Sequence, residues 1–322
     1  VAFVGLGTEL WAAFEGKKRV MNAEIETKPL KAAACMIGGM ILIGFIDNYV
    51  AVIAGQISLW QFQLARTIPA IVLIVLLSKI GFGSLRPVRL WAVGVRSLLI
   101  TVAMLFYFGS LAFMPIAQSL AGLFTSPIFV LLISVFWRGV KIGPWRVIAV
   151  LMGFAGILFV LNPDPANLSW VLLMPVAGGF FYALGSVATR SLCEGEQTLV
   201  MLMGLMVLQG AIGGVMLLVL GWVDPAVPSG ADGFLLRPLV WPMWEAVPIV
   251  LLQAVGSVAG VGLLTKAYQL GEVSQVAVYE YSVMIFGPLF AFILFDQYLG
   301  ALQGVGIALI ATAGIIIASR SR

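Results

Sequence analysis

Phe113-Met114-Pro115-Ile116-Ala117-Gln118-Ser119 finds its counterpart 157 residues further on, in Leu270-Gly271-Glu272-Val273-Ser274-Gln275-Val276. In each copy a short turn runs into an apolar stretch, and a glutamine stands a few residues inside it: Gln118 in the first, Gln275 in the second. The segments that follow, 144–161 and 300–318, share a glycine-rich apolar pattern ending near Gly156 and Gly314. A bilayer core takes roughly 20 apolar residues per helix. That window picks out 31–53, 61–80, 89–108, 115–136, 144–161, 169–190, 199–220, 247–268, 273–295 and 300–318. The two copies therefore hold five helices each. Because five is odd, the second copy must enter the membrane with opposite polarity, and inverted repeats of this kind typify secondary transporters. The expected fold is all-α and integral to the membrane: ten transmembrane helices as two inverted five-helix repeats around a central cavity. The first repeat covers 31–161 and the second 169–318, with 221–246 as an extracytoplasmic loop whose Pro, Gly and Trp content suggests a surface-lying segment.

Composition agrees with a membrane protein. Of 322 residues, 61% are hydrophobic and 10% charged, whereas soluble domains carry about 25% charged residues. Mean hydropathy is +1.09. A disordered or collagen-like chain is excluded on the same grounds. With no histidine, imidazole metal sites and Ser-His-Asp triads cannot form. Two cysteines, Cys35 and Cys193, cannot make a four-ligand zinc site, and neither a metal nor a cofactor is expected. The net charge of +4 does not point to nucleic acid, because the basic residues follow the membrane.

With the N-terminus inside, 16 of the 18 basic residues lie on cytoplasmic segments or helix ends, including Lys79, Arg86, Arg89, Arg96, Arg190 and Lys266; only Arg66 and Arg237 lie opposite. This lopsided split predicts that both termini are cytoplasmic. Both cysteines then face the cytoplasmic side, where a disulfide is not expected. Residues 1–30 mix apolar positions with Glu9, Glu15, Lys17, Lys18 and Arg19. They lack the pattern of a signal peptide and read as an amphipathic segment on the inner leaflet.

The run Tyr107-Phe108-Gly109-Ser110-Leu111-Ala112-Phe113-Met114-Pro115-Ile116-Ala117-Gln118 continues through Thr125-Ser126-Pro127-Ile128-Phe129. Its second-half counterpart is Ala267-Tyr268-Gln269-Leu270-Gly271-Glu272-Val273, running into Tyr279-Glu280-Tyr281. On these stretches, and on Phe181-Tyr182-Ala183 through Thr189-Arg190, residues 31–318 resemble the drug/metabolite transporter superfamily, specifically its EamA-type bacterial members. The resemblance implies a ten-helix basket working by alternating access without ATP in the cytoplasmic (inner) membrane. It also implies that an amino acid or related metabolite is a natural cargo and export the commoner direction.

Charges inside a span cost about 2.5–3.5 kcal/mol each on insertion scales and therefore need a partner or a wet cavity. Asp47 stands about 24 Å from the inner end of its helix at 1.5 Å per residue. Arg66 opens the returning helix at similar depth, so an Asp47–Arg66 ion pair, a gate or substrate contact, and snorkelling of Arg66 to the headgroups are all open readings. Asn48 joins Asp47 as a candidate. Glu280 lies about 10 Å deep, flanked by Tyr279 and Tyr281, with no basic residue matched to it. It is a candidate for substrate or proton binding, against a structural hydrogen bond to a neighbouring helix. Helical spacing groups Gln275, Tyr279 and Ser282; Tyr182, Ser186 and Thr189; and Gln118, Gly122 and Thr125, with Gln253 and Ser257 on a further helix. Tyr107, Tyr182 and Tyr279 are candidate cavity walls, since a ring can pack on a solute that its hydroxyl also bonds. A carboxylate among tyrosines suits an ammonium-bearing solute. The pairs Gly256/Gly260 and Gly300/Gly304 predict close helix contacts.

These residues point to a secondary transporter of a small metabolite, first an amino acid or amine-bearing solute, with proton coupling or facilitated diffusion equally open. The alternative is a lipid-handling or flippase-like carrier with lateral entry. An enzyme would need a nucleophile–base set clustered at one leaflet, and none is visible.

Overall fold

The computed structural model describes residues 28–138, 143–161, 170–271 and 273–320. Most of the expected N-terminal amphipathic segment, residues 1–27, lies outside them, as does the 162–169 connection. The helices are α1 (Pro29–Ile46), α2 (Asn48–Ala54), α3 (Leu59–Lys79), α4 (Leu90–Ser110), α5 (Ile116–Leu123), α6 (Ser126–Arg138), α7 (Pro144–Leu161), α8 (Leu173–Ser191), α9 (Thr198–Val223), α10 (Val247–Leu270), α11 (Val273–Tyr279), α12 (Val283–Phe295) and α13 (Ala301–Arg320). Short 3₁₀ turns occupy Trp170–Leu172, Gly230–Leu235 and Glu280–Ser282. Strands are absent among the described residues.

Helix is the outcome because an apolar chain in lipid must bond its own backbone. Six stretches are long and apolar enough to cross a bilayer: Pro29–Ala54, Leu59–Lys79, Leu90–Ser110, Ile116–Ile133, Thr198–Val223 and Val247–Leu270. Val147–Val160, Glu280–Phe295 and Ala301–Ala313 are apolar but shorter. Local signals set the ends. Ser58 Oγ accepts from the Gln61 N–H at 3.2 Å and starts α3. Pro29 and Pro248 sit in the first turns of α1 and α10, where a missing N–H costs nothing.

The main packing pairs are α1 with α10, α4 with α8, α3 with α9 and α7 with α13. The last of these depends on glycine. A Cβ at Gly156 would stand 2.7 Å from the Gly306 carbonyl oxygen, and one at Gly306 would stand 2.6 Å from that of Gly156. Gly256 and Gly260 lie against Ile46 and Ile43 of α1, as their spacing predicts. Gly304 does not, having open space around a Cβ, and a Cβ at Gly300 would meet only Gln303. The close contact of α13 is made two residues later, at Gly306, which faces α7.

Residues 224–246 form a strap tied to the ends of α2 and α3. Trp60 Nε1 donates to the Leu235 carbonyl at 2.9 Å, while Gln61 both donates to Val240 O at 2.8 Å and accepts from Val240 N at 2.9 Å. Arg237 Nη1 donates to Ala54 O and Ile57 O. Phe234 is fully buried under this strap. At the opposite, basic end lie Lys79, Arg89, Arg190 and Lys266.

Candidate functional site

Asp47 owes its place to a break in the first helix: α1 stops at Ile46 and α2 restarts at Asn48. The Asn48 amide donates to Gly44 O at 2.7 Å and to Gly287 O of α12 at 3.1 Å, bracing the break. Asn48 is thereby a structural brace, while Asp47 is turned to the interior. Its Oδ2 accepts from the Tyr107 hydroxyl of α4 at 2.8 Å.

Asp47, Arg66, Tyr107, Tyr182 and Ser186 all line one cavity. Asp47 and Arg66 share one end of this cavity and attract each other electrostatically, without a direct hydrogen bond between them. Arg66 is bonded by neutral groups instead: Nη2 donates to Gln63 Oε1 at 2.6 Å and Gln209 Oε1 at 2.8 Å, and Nη1 to Ser257 Oγ at 3.3 Å. Its guanidinium carbon stands 4.8 Å from the Phe62 ring centre and 5.2 Å from that of Phe108, in cation–π range. At 2% exposure, Arg66 does not snorkel. Its Nε and the Gln63 amide nitrogen are buried donors without a partner.

Glu280 does not line this cavity. It sits at the 3₁₀ turn between α11 and α12, fully buried. Its carboxylate accepts from Tyr268 and, at 3.2 Å, from Ser126 Oγ. The Tyr182 hydroxyl bonds it too, and Ser186 bonds both tyrosines. Tyr182 and Tyr268 stand on the cavity wall, so they connect Glu280 to the cavity without exposing it. Tyr279, partly buried against the core, and Gln118, also partly buried, are absent from the lining. The Gln275 side chain lies outside the described ones. Gly122 and Thr125 of the same stripe serve packing: Gly122 abuts Pro175, and Thr125 Oγ1 donates to Gly122 O at 2.7 Å.

Sequence reasoning missed Arg96, Gln209, Thr265 and Tyr268 on the wall. Arg96, counted as a cytoplasmic helix-end charge, is only 3% exposed. Nε donates to Thr189 Oγ1 at 3.1 Å, Nη1 to Met201 O at 3.2 Å and Nη2 to Thr265 Oγ1 at 3.2 Å. Its depth was the available signal: seven residues past Arg89 is about 10 Å along the helix. The cavity is polar at both ends. Asp47, Arg66, Tyr107, Gln209 and Ser257 mark one, and Arg96, Thr189, Thr265 and Tyr268 the other. Ile43, Ile100, Met104, Leu205 and Val261 lie between them.

A bundle of apolar helices around a cavity with buried charges is the architecture of an integral membrane protein that handles a small solute. Residues 168–320 match the EamA-like transporter family. That match covers a little under half of the chain and agrees with the resemblance of its sequence to EamA-type transporters of the drug/metabolite transporter superfamily. The chain is 26% identical to a riboflavin transporter of Rhizobium johnstonii, over 75% of this chain and 74% of that protein. It is 24% identical to a riboflavin transporter of Vibrio cholerae over 84% and 87%, and 22% identical to an S-adenosylmethionine uptake transporter of Rickettsia bellii over 78% and 81%. A crystal structure at 20% identity superposes with a TM-score of 0.63 over 88% of this chain and 96% of that one, which shows a shared fold.

Proposed function

We propose that the protein is a secondary transporter of the cytoplasmic membrane, with both termini cytoplasmic, that moves an elongated metabolite, polar at both ends, by alternating access. The observation that carries this reading is the two-ended cavity. Arg96 and Tyr107 both line it from α4, and the 11-residue step from one to the other spans about 16 Å. On α10, Ser257 and Tyr268 are separated by the same 11-residue step. An apolar middle flanked by such ends suits a ring system or nucleoside-like body with a polar tail. The unpartnered donors at Arg66 and Gln63 supply bonds for an acceptor on the solute.

The ten-helix inverted repeat belongs to this proposal. The 157-residue offset carries α4 onto α10, α5 onto α11 and α7 onto α13, and the strap falls before these second copies. It also carries Leu123-Phe124-Thr125, where α5 gives way to α6, onto Glu280-Tyr281-Ser282, where α11 gives way to α12. At both breaks a hydroxyl bonds the carbonyl three residues back: Thr125 to Gly122 at 2.7 Å and Ser282 to Tyr279 at 2.8 Å.

Amino acids and amine-bearing solutes remain the second reading, favoured by the Asp47 carboxylate beside Tyr107 and Phe108. Export follows from the family resemblance, whereas one relative is named for uptake. The test is transport in sealed proteoliposomes of riboflavin, S-adenosylmethionine and an amino-acid and amine panel, loaded inside or outside, with and without a pH gradient. Saturable movement of one member, lost in Arg66→Ala, is the expected result. If well-folded protein carries none of them, the lipid-handling alternative takes over.

A further inference from the structure

Two guanidiniums and one carboxylate line the cavity: Arg66, Arg96 and Asp47. Arg66 shares its end with Asp47, but Arg96 stands at the other end among neutral groups. No carboxylate lies within 4.0 Å of it among the described residues. Its partners are two threonine hydroxyls and a backbone carbonyl, and these use three of the five guanidinium N–H donors. A buried cation held only by neutral acceptors keeps much of its desolvation cost uncompensated. Glu280, the other buried carboxylate nearby, is engaged by Tyr268, Tyr182 and Ser126 and lies off the cavity wall.

Position adds a second observation. Thr189, which accepts from Arg96 Nε, lines both this cavity and a second chamber at the basic end, whose walls include Arg190, Glu196, Lys266 and Gln269. Arg96 is thereby bonded to the residue that the two chambers share.

We infer that Arg96 is the binding site for an oxyanion, a carboxylate or phosphate, carried on one end of the transported solute. Thr189 and Thr265 hold the guanidinium so that its remaining donors serve that group, as charge-assisted hydrogen bonds favour. This inference rests on the carrier reading above and adds the charge of the cargo.

The test uses matched probes on the full-length protein: riboflavin against riboflavin 5′-phosphate, and decarboxylated S-adenosylmethionine against S-adenosylmethionine. In wild type the member bearing the oxyanion should bind about tenfold tighter or more in at least one pair, the size of one charged hydrogen bond. Inorganic phosphate should compete with that member and leave its oxyanion-free partner untouched, a measurement that needs no variant. Arg96→Gln should level the pair, costing the oxyanion-bearing probe far more affinity than its partner, and Arg96→Lys should keep part of the preference. Wild type that carries the oxyanion-free probes without preferring their oxyanion-bearing partners overturns this inference and leaves the carrier standing. Equal loss of both probes in Arg96→Gln overturns it in favour of a structural arginine. Wild type that binds no probe and carries no member of the wider panel above removes the carrier reading and this inference together.

Discussion

Asp47 and Glu280 show how differently two buried carboxylates can be placed in one membrane protein. Asp47 lies on the cavity wall with one hydroxyl, from Tyr107, on its Oδ2. Glu280 lies behind that wall with three hydroxyls around it, from Tyr268, Tyr182 and Ser126. Substitution should therefore separate their roles. Asp47→Asn keeps an acceptor for Tyr107, so the detergent-solubilised protein should melt within a few degrees of wild type. Transport should nevertheless fall by about tenfold or more, since a charged partner for the solute is lost. Glu280→Leu takes away the acceptor of the buried Tyr268 and Ser126 hydroxyls, at about 1–3 kcal/mol for each left unpaired, so it should cut folded yield and melting temperature sharply. Glu280→Gln should restore most of that stability, because an amide oxygen still accepts. Equal stability of Glu280→Leu and wild type would show that the hydroxyl cluster contributes nothing to the fold. Asp47 and Glu280 were both legible as intramembrane charges. Their surroundings were not, because Tyr268 and Ser126 come from helices that only tertiary packing brings to Glu280. Arg96 was misread for the same reason: its acceptors lie on α8, α9 and α10.

Helices were the easiest elements to read, because apolar length in a chain with so few charges leaves little other choice. Their breaks were harder. Nothing in Gly122-Leu123-Phe124-Thr125 resembles a helix stop, yet α5 ends there, close against α8: a Cβ at Gly179 would stand 2.6 Å from Leu123 O and 2.4 Å from Thr125 Oγ1. Such crowding is invisible in a local window. Small-residue spacing was a mixed guide, correct at Gly256/Gly260 and wrong at Gly300/Gly304, since spacing does not say which face of a helix meets a neighbour. The contrast gives a direct test. Gly156→Val places side-chain atoms into the Gly306 carbonyl and the Ile310 side chain, so it should destabilise by about 1–3 kcal/mol or more, as overpacking does. Gly304→Val meets open space and should stay within about 0.5 kcal/mol of wild type. Chemical denaturation in mixed micelles compares the two, and equal destabilisation would mean that α7 and α13 do not pack as described.

At the scale of the whole molecule, alternating access requires the chamber at the basic end to open and close, and Cys193 is placed to report it. The thiol lies on that chamber's wall, just beyond the end of α8, 1% exposed and not in a disulfide. Burial pushes it up to about 11, an effect the nearby Arg96 guanidinium only partly opposes. At pH 7.5, roughly one thiol in three thousand is then the reactive thiolate, and labelling should speed up about tenfold per pH unit until pH approaches 11. Opening the chamber hydrates the thiol, drops it back toward the ordinary thiol range of about 8.5, and so accelerates labelling at fixed pH. In a Cys35→Ser background, a membrane-impermeant maleimide should label Cys193 slowly, and from the cytoplasmic side alone in vesicles of known orientation. Labelling from the opposite side would reverse the proposed topology. A saturating transported solute should shift the rate, because a ligand that binds two conformations unequally must move their populations. A rate indifferent to pH, solute and side together would mean that Cys193 sits beside no moving gate, and the rocking motion would then have to run through helices other than α8 and α9.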